Sequence, residues 1–165
     1  MAGFDEVYSA YGPSVRAYLA RLTGDAWVAD ELQQETFYRY LRAGADLAAR
    51  NGSLGPWLFK VATNLARDRA RRKKPEPLDT EPAANGTDGA AASSARDVDQ
   101  CIRREVERLP AELKEAFLLR AHHTLTYHQV AAALEISERT AKERFRLARE
   151  ILAHRLGPML GEERR

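Results

Sequence analysis

The sequence predicts an all-α fold of two small helical domains joined by a flexible linker. In both halves Ala, Leu, Arg and Glu are plentiful and β-branched runs are scarce, which favours helices over strands. Residues 75–97 are rich in Pro, Gly, Ala, Ser and acids and lack apolar periodicity, which is typical of a linker. The chain therefore divides into domains at 1–74 and 98–165, and the second has the pattern of a helix-turn-helix.

The N-terminal half is predicted to contain three helices, at 4–22, 26–43 and 55–73. Gly12-Pro13 is expected to bend or break the first of them, because proline cannot donate a backbone hydrogen bond. Gly24-Asp25 separates the first helix from the second. Pro56 suits the first turn of the third helix, where a backbone donor is not needed.

The C-terminal half is predicted to contain four helices, at 98–108, 111–122, 127–134 and 138–155. Pro110 precedes the second of these. Thr126 and Gln129 have the spacing of a capping box, in which each side chain bonds the other residue's backbone amide. Ser137 is expected to cap the last helix, and Glu138 in its first turn is favoured by the helix dipole.

Composition excludes several classes of protein. The 165 residues are 44% hydrophobic and 30% charged, which is typical of a globular chain. No apolar run reaches the ~20 residues of a membrane helix, and the first residues lack a secretory signal. The single cysteine, Cys101, cannot form an internal disulfide and is expected to be a small packed residue. These features predict a cytoplasmic protein with no membrane insertion.

The third predicted helix carries a long cationic face. Seven Lys or Arg and one Asp occur within residues 60–74, although the whole chain has a net charge of only +2. Lys and Arg suit phosphates, and an Asn among them can also bond a base edge. We therefore predict a nucleic-acid contact here, with an ordinary solvated face as the alternative. The residues on this side are Lys60, Thr63, Asn64, Arg67, Arg71 and Lys74.

The second predicted helix has the opposite charge. One side carries Asp30, Glu31, Gln34 and Glu35, with Tyr38 beside them. The rest of the circumference is largely apolar and includes Trp27. An acidic side next to aromatic residues suggests docking onto a basic protein surface, although an ordinary exposed face is an equal alternative.

Residues 124–152 have the pattern of a helix-turn-helix. A short apolar helix is followed by a tight turn at 135–137, in which Ile136 is expected to be buried. The next helix directs apolar residues inward at three- and four-residue steps and leaves basic residues toward solvent. Such a helix fits the major groove of duplex DNA, and the alternative is an ordinary helical hairpin. The predicted contact residues are Ser137, Arg139, Thr140, Lys142, Glu143, Arg146 and Arg149.

In this order, the motifs resemble the extracytoplasmic-function group of bacterial sigma factors, within the sigma-70 superfamily. ADELQQETFYRYL resembles the stretch of that family that binds core polymerase. GPWLFKVATNLARDRARRKK resembles its −10 element helix, and LPAELKEAFLLR with the helix-turn-helix resembles its −35 element domain. The resemblance covers both halves of the chain.

The resemblance implies a transcription initiation factor that directs RNA polymerase core to promoters and opens the −10 region. The polymerase clamp, in the largest subunit, would dock on the acidic second helix, and the flap of the second largest subunit is a further partner. A loop at about 48–54, containing Asn51 and Ser53, would capture a flipped base. The third helix would hold the melted strand, and the recognition helix would bind the −35 duplex. An anti-sigma factor is an expected partner, because the family is usually held inactive by one.

The sequence departs from the family pattern in three places. Glu135 stands where the turn commonly has Gly, which predicts a different turn shape. Leu147 stands where a basic residue is usual, which removes one phosphate contact. The segment 50–53 does not closely match the common loop sequence.

Other side chains do not indicate catalysis. His122, His123 and His128 lie close together, but no cysteine or carboxylate completes a metal ligand set, and we expect them to be polar surface. Asp68 among arginines is expected to be an ion-pair partner. We predict no enzyme activity, cofactor or metal. The remaining alternatives are a stand-alone helix-turn-helix regulator that binds duplex DNA unaided and a polymerase-binding inhibitor that mimics these surfaces.

Overall fold

A computed structural model describes residues 3–44, 54–73 and 95–160, and in these ranges the chain forms seven helices and no strand. The N-terminal half contains α1 (Phe4–Thr23), α2 (Ala26–Ala43) and α3 (Leu54–Arg72). The C-terminal half contains α4 (Ala95–Glu107), α5 (Ala111–Phe117), α6 (Tyr127–Leu134) and α7 (Glu138–Leu160). A π-helical turn at Leu118–His122 continues α5. The predicted all-α fold is confirmed. Of the predicted linker, only 95–97 lie within the described residues.

Short polar side chains fix where several helices begin. The Asp25 carboxylate accepts hydrogen bonds from the amides of Trp27 and Val28 at the start of α2. Thr126 and Gln129 form the predicted capping box of α6. Ser137 Oγ accepts the Thr140 amide at 3.0 Å, as predicted for the cap of α7. These caps satisfy backbone donors that the first helical turn leaves unpaired.

Three helix boundaries differ from the prediction. The first helix is not broken at Gly12-Pro13, because Gly12 packs against α2 and its carbonyl accepts the Gln33 side-chain amide at 2.8 Å. Helix α4 begins three residues before the predicted position, at Ala95. Helix α7 continues five residues past 155, through Pro158, and its buried Leu156 extends the apolar side of the helix.

Each half has its own buried centre. In the N-terminal half, α1, α2 and α3 pack together around Val15, Leu19 and Leu58, which are fully buried. In the C-terminal half, Leu118 and Leu119 of the π-helical turn pack with Val130, and α5 and α6 both pack on α7. Local helical spacing therefore places the apolar residues of each half on one side of each helix.

The two halves also pack against each other. Helix α3 lies against α6, α1 lies against the π-helical turn, and the buried apolar residues of both halves form one continuous cluster. His123 lies between the halves, with ring centroids 5.8 Å from Tyr18 and 5.2 Å from Phe59. This arrangement decides which of the predicted surfaces are open to solvent.

Candidate nucleic-acid and protein interfaces

The cationic side of α3 is the first candidate interface. Lys60, Asn64, Arg67 and Arg71 recur every three or four residues and therefore share one side of the helix. Arg71 is exposed, whereas the other three are partly buried. Lys74 and the predicted loop residues Asn51 and Ser53 lie outside the described residues.

The C-terminal half engages two of these cations. The Arg67 guanidinium donates from Nε and Nη2 to the two carboxylate oxygens of Glu115, at 2.9 Å and 2.6 Å. The Glu115 side chain is only 4% exposed, and its hydrogen bonds raise the pKa of Arg67. Lys60 Nζ lies 2.9 Å from the Glu135 carboxylate, in the turn between α6 and α7. In this conformation two cations of the predicted strand-contact face are therefore paired with carboxylates of the C-terminal half, and the face is partly covered.

Thr63, which was predicted to lie on the cationic side of α3, is not on the surface. Its side chain is buried, and its hydroxyl lies 2.8 Å from Tyr18 Oη while it donates to the Phe59 carbonyl at 2.7 Å. Burial raises the pKa of the Tyr18 phenol, which stays neutral. Thr63 is not on the surface because the packing of α1 against α3, which helical spacing alone does not reveal, encloses this side of the helix.

Three other charged residues near the end of α3, Asp68, Arg69 and Arg71, pair within the N-terminal half. Asp68 pairs with Arg71, which confirms its predicted role. Arg69 Nη1 donates to Glu31 on α2 at 2.7 Å. The end of the cationic helix is thus tied to the acidic one.

The predicted acidic residues of α2 lie at or near the surface, but their charges are partly compensated. Asp30 pairs with Arg16 at 2.6 Å and Glu35 with Arg39 at 2.9 Å, in addition to the Glu31 pair, while Gln34 is exposed. Such exposed pairs are weak and exchange readily with a partner's charges.

Trp27 is the functional candidate that the sequence missed. The sequence pattern places it on the apolar side of the second helix, yet 72% of it is exposed. It borders an open groove of about 790 Å³ whose other walls include Asp30, Glu31 and Gln34. An exposed tryptophan beside carboxylates is typical of a protein-binding surface, because aromatic residues supply much of the energy of such interfaces.

The recognition helix α7 presents its predicted contact residues to solvent. Arg139, Lys142, Glu143, Arg146 and Arg149 are exposed, Ser137 is exposed at the cap, and Thr140 is partly buried. The Arg146 guanidinium is held by Glu143, at 2.7 Å and 3.0 Å, and by Glu150, which raises its pKa. This side of α7 therefore carries both basic and acidic side chains, and Arg146 must leave its carboxylate partners before it can contact DNA.

Glu135 occupies the turn position where the resembled family commonly has Gly. Its backbone is left-handed, with φ 56° and ψ 44°, a conformation that favours glycine. The turn thus keeps a backbone shape that suits glycine, with a glutamate side chain projecting toward Lys60. Ile136, predicted to be buried, is partly buried.

The three histidines have separate environments. His128 bonds to Glu138 at 2.8 Å, and the Arg21 guanidinium lies 2.8 Å from the His122 ring nitrogens. His123 is enclosed between the halves, contrary to the expectation of polar surface. Among the described residues no three His, Cys, Asp or Glu side chains group as metal ligands.

Acidification is expected to destabilise the protein through His123. Burial, with smaller contributions from His122 and Arg21, lowers the pKa of His123 to about 4 from an ordinary value of 6.5. The folded state therefore prefers neutral imidazole, so this contribution to stability is complete above pH ~6.5 and is lost as the pH falls through ~4. Urea unfolding followed by circular dichroism should show a lower midpoint at pH 5 than at pH 7.5.

The matched variants are His123→Gln and His128→Gln. The first should reduce the pH dependence of the urea midpoint, because the buried titrating group is gone. The second should retain it, because His128 is largely exposed. Equal pH dependence in all three proteins would show that His123 does not titrate in this way.

Among the described residues, no helix combines the length and apolar character needed to cross a bilayer.

Two sigma-factor families match the two halves. Sigma-70 region 2 matches residues 7–76, and Sigma-70, region 4 matches residues 99–152. The ECF RNA polymerase sigma factor EcfG of Rhodopseudomonas palustris is 31% identical over 90% of this chain and 82% of its own length. The ECF sigma factor SigM of Bacillus subtilis is 30% identical over 90% of this chain and 91% of its own length.

A solved structure shares the fold. The sigma factor RpoE of Bartonella quintana, crystallised in complex with the anti-sigma factor NepR, superposes with a TM-score of 0.67 over 93% of this chain and 96% of that one, at 22% identity. The helical order, the two family matches and the identity over nearly the whole chain agree. The chain belongs to the extracytoplasmic-function group of RNA polymerase sigma factors, which direct core polymerase to particular promoters to initiate transcription.

Proposed function

We propose that this sigma factor uses three separate surfaces in initiation: the α2 side with Trp27 binds core polymerase, the cationic side of α3 holds the melted −10 strand, and α7 binds the −35 duplex. The observation that carries the proposal is that one chain combines these surfaces in the order of the two matched regions. We retain the division into two halves as part of the proposal, with the first half at 1–74 and the second beginning at Ala95, where α4 starts, instead of at the predicted 98.

Exposed side chains support the proposed polymerase-binding surface. Trp27 offers a large apolar area, and Asp30, Glu31 and Gln34 line the groove beside it. A basic clamp surface would replace the weak internal partners of these carboxylates, Arg16 and Arg69, with its own cations. The flap of the second largest subunit is the corresponding partner of the C-terminal half.

Trp27→Ala is expected to weaken binding to core polymerase by about thirtyfold, because aromatic residues at the centre of an interface often contribute about 2 kcal/mol. Folding should be nearly unaffected, since most of the side chain is already in solvent. Fluorescence anisotropy of the labelled sigma factor titrated with core measures the affinity. Tyr8→Ala removes another partly exposed aromatic side chain from the groove, so its effect on the affinity shows how far the binding surface extends. Unchanged affinity of the Trp27 variant would remove this surface from the proposal.

Charge and shape support the two proposed DNA-binding surfaces. Asn64 combined with Arg67 and Arg71 on one helical side suits a strand with its bases unstacked, since arginines bind the backbone and the amide bonds a base edge. Helix α7, capped at Ser137 and exposed along its basic side, has the size and charge for the major groove.

An anti-sigma factor is a further partner that we infer. Its support is the Bartonella quintana sigma factor of the same fold, which was crystallised with one. Because the proposed partners, core polymerase and promoter DNA, are cytoplasmic, we infer the same location for this chain. Its role is one of binding, with no catalytic step of its own.

Run-off transcription with core polymerase tests the proposed function. Initiation and permanganate-detected opening near −10 should require both the sigma factor and core. A stand-alone regulator would instead bind a defined operator without core and would not open it. Start-site mapping from this assay also supplies the promoter sequence for the experiments below.

A further inference from the structure

We propose that Glu143 selects a cytosine in the upstream duplex, and that Arg146 beside it selects a guanine in the same base pair or the next one. The proposal rests on the proposed role of α7 in binding the −35 duplex. The two side chains would thereby fix part of the −35 sequence that this sigma factor prefers.

Glu143 is a carboxylate on an otherwise basic side of α7. Its side chain is 53% exposed, and Arg139 and Arg146, four residues before it and three after it, are exposed on the same side of the helix. A carboxylate in this position is repelled by the phosphates that line a DNA groove, so it weakens binding that depends on charge alone. It favours a complex only where a base presents a hydrogen-bond donor to it.

The Glu143 carboxylate is ionised and can only accept hydrogen bonds. Arg146 Nε and Nη2 donate to its two oxygens at 3.0 Å and 2.7 Å. These hydrogen bonds, with a smaller contribution from the charge of Arg139, lower the pKa of Glu143. Even without Arg146, a glutamate is ionised near neutral pH. A group that only accepts hydrogen bonds distinguishes bases by the donors that they present.

Binding of Arg146 to a base leaves Glu143 without this partner. The guanidinium is held by Glu143 through Nε and Nη2, and by Glu150 through Nη1. Its donors reach a base only when these bonds open, and arginine then donates two parallel hydrogen bonds to O6 and N7 of guanine. The carboxylate beside it needs a new donor, because a charge that is left unpaired at an interface is costly.

Cytosine is the base that suits a carboxylate best. In the major groove only cytosine and adenine present an amino group. Cytosine presents its N4 amino group alone, whereas adenine places the N7 acceptor beside N6. A carboxylate has two acceptor oxygens, so adenine N7 repels the second oxygen of Glu143 and cytosine does not.

The ion pair also indicates how close the two selected bases lie. Glu143 and Arg146 are one helical turn apart, and their side chains already meet at their ends, 2.7 Å apart. Cytosine N4 and guanine O6 of one base pair are hydrogen-bonded at about 2.9 Å, and the next base pair is about 3.4 Å away. Side chains this close therefore reach one base pair or two successive ones, as residues three apart on other groove-binding helices do.

The test uses holoenzyme assembled from core polymerase and the full-length sigma factor. The holoenzyme binds a promoter library that is randomised across the −35 element, and the retained DNA is sequenced. Glu143→Gln keeps the size of the side chain and adds an amide donor, which suits N6 and N7 of adenine. Glu150→Gln is the matched control, because it removes the same charge and another partner of Arg146 from a residue outside the predicted contacts. Both residues are exposed, so thermal unfolding of each variant should match wild type.

We expect wild type to enrich cytosine at one position, and guanine in the same base pair or the next, by about tenfold over the other bases. Glu143→Gln should replace the preference for cytosine by one for adenine and keep the guanine. Glu150→Gln should keep both preferences. Arg146→Ala should lose the preference for guanine.

Cytosine that stays enriched with Glu143→Gln would overturn the proposal, and so would a wild-type preference that contains no cytosine. An equal change of base with Glu150→Gln would overturn it too, because the effect would then act through Arg146. The proposed role of α7 fails on different results. If wild type enriches no upstream base, or if its preference survives both Arg146→Ala and Lys142→Ala, then α7 does not bind the −35 duplex.

Discussion

Replacing Asn64 and Arg71 together by Ala is expected to reduce promoter opening by about a hundredfold. Each is proposed to contact the melted strand, and a lost contact to nucleic acid of this kind costs about 1–3 kcal/mol. Two such losses of about 1.4 kcal/mol each correspond to the hundredfold change. Permanganate reactivity near −10, measured with core polymerase on the mapped promoter, reports the fraction of open complexes.

A pre-melted template should partly restore activity to this variant, because the energy of separating the strands no longer has to be supplied by strand capture. Folding should be retained, since Arg71 is 76% exposed and Asn64 is at least partly so. Gln100→Ala with Arg104→Ala is the matched control, because it removes an amide and an arginine from exposed positions of α4. Wild-type opening by the Asn64, Arg71 variant would contradict the assignment of α3.

The parts of the fold that the sequence predicted well depend on neighbours in the chain. Helical periodicity and the caps at Thr126 and Ser137 act within one or two turns, so the seven helices and most of their ends were predictable. The helix is not broken at Pro13, because packing of Gly12 against Gln33, 21 residues away, keeps it continuous.

The parts of the site that the sequence missed depend on contacts between the halves. Nothing local predicts that His123 lies against Tyr18 or that Glu135 reaches Lys60. Glu115 did leave a signal, since it lies three and four residues before the buried Leu118 and Leu119 and so shares their side of the helix. A charged residue on an apolar side predicts a buried partner, although it does not identify Arg67.

For α2, the sequence pattern did not show which apolar side chains would be exposed. Periodicity places Trp27 on an apolar side, but the neighbouring helices bury Val28 and Ala29 in the first turn of α2 and leave Trp27, in the same turn, exposed. A pattern of apolar residues indicates which side of a helix can be buried, but it does not show which residues of that side the neighbouring helices cover. The exposed tryptophan thus became a candidate only once the three-helix packing was known.

Replacing Lys142 or Arg146 by Ala is expected to weaken binding of polymerase holoenzyme to the upstream duplex by about ten- to a hundredfold if the side chain makes a bidentate base contact. If the side chain contacts only a phosphate, the loss of affinity should be similar for all DNA sequences. The slope of log affinity against log salt concentration should then become shallower by about one. Arg146 must first leave Glu143 and Glu150, so Glu150→Gln, at a residue outside the predicted contacts, should separate the effect of the ion pair from the effect of the DNA contact. Arg155→Ala, on the same helix but beyond the predicted contacts, is the control for charge.

These variants also test whether the two halves bind different states of DNA. A pre-melted −10 region should not fully rescue the Lys142 and Arg146 variants, because the upstream anchor is still missing. Base substitutions in the −35 element should no longer change the affinity of those variants and should still change the affinity of the Asn64 variant. The reason is that a base substitution has no further effect once the side chain that contacts the base has been removed. If the substitutions instead lost their effect with the Asn64 variant and kept it with the Lys142 and Arg146 variants, α3 would bind the upstream element and the two assignments would have to be exchanged.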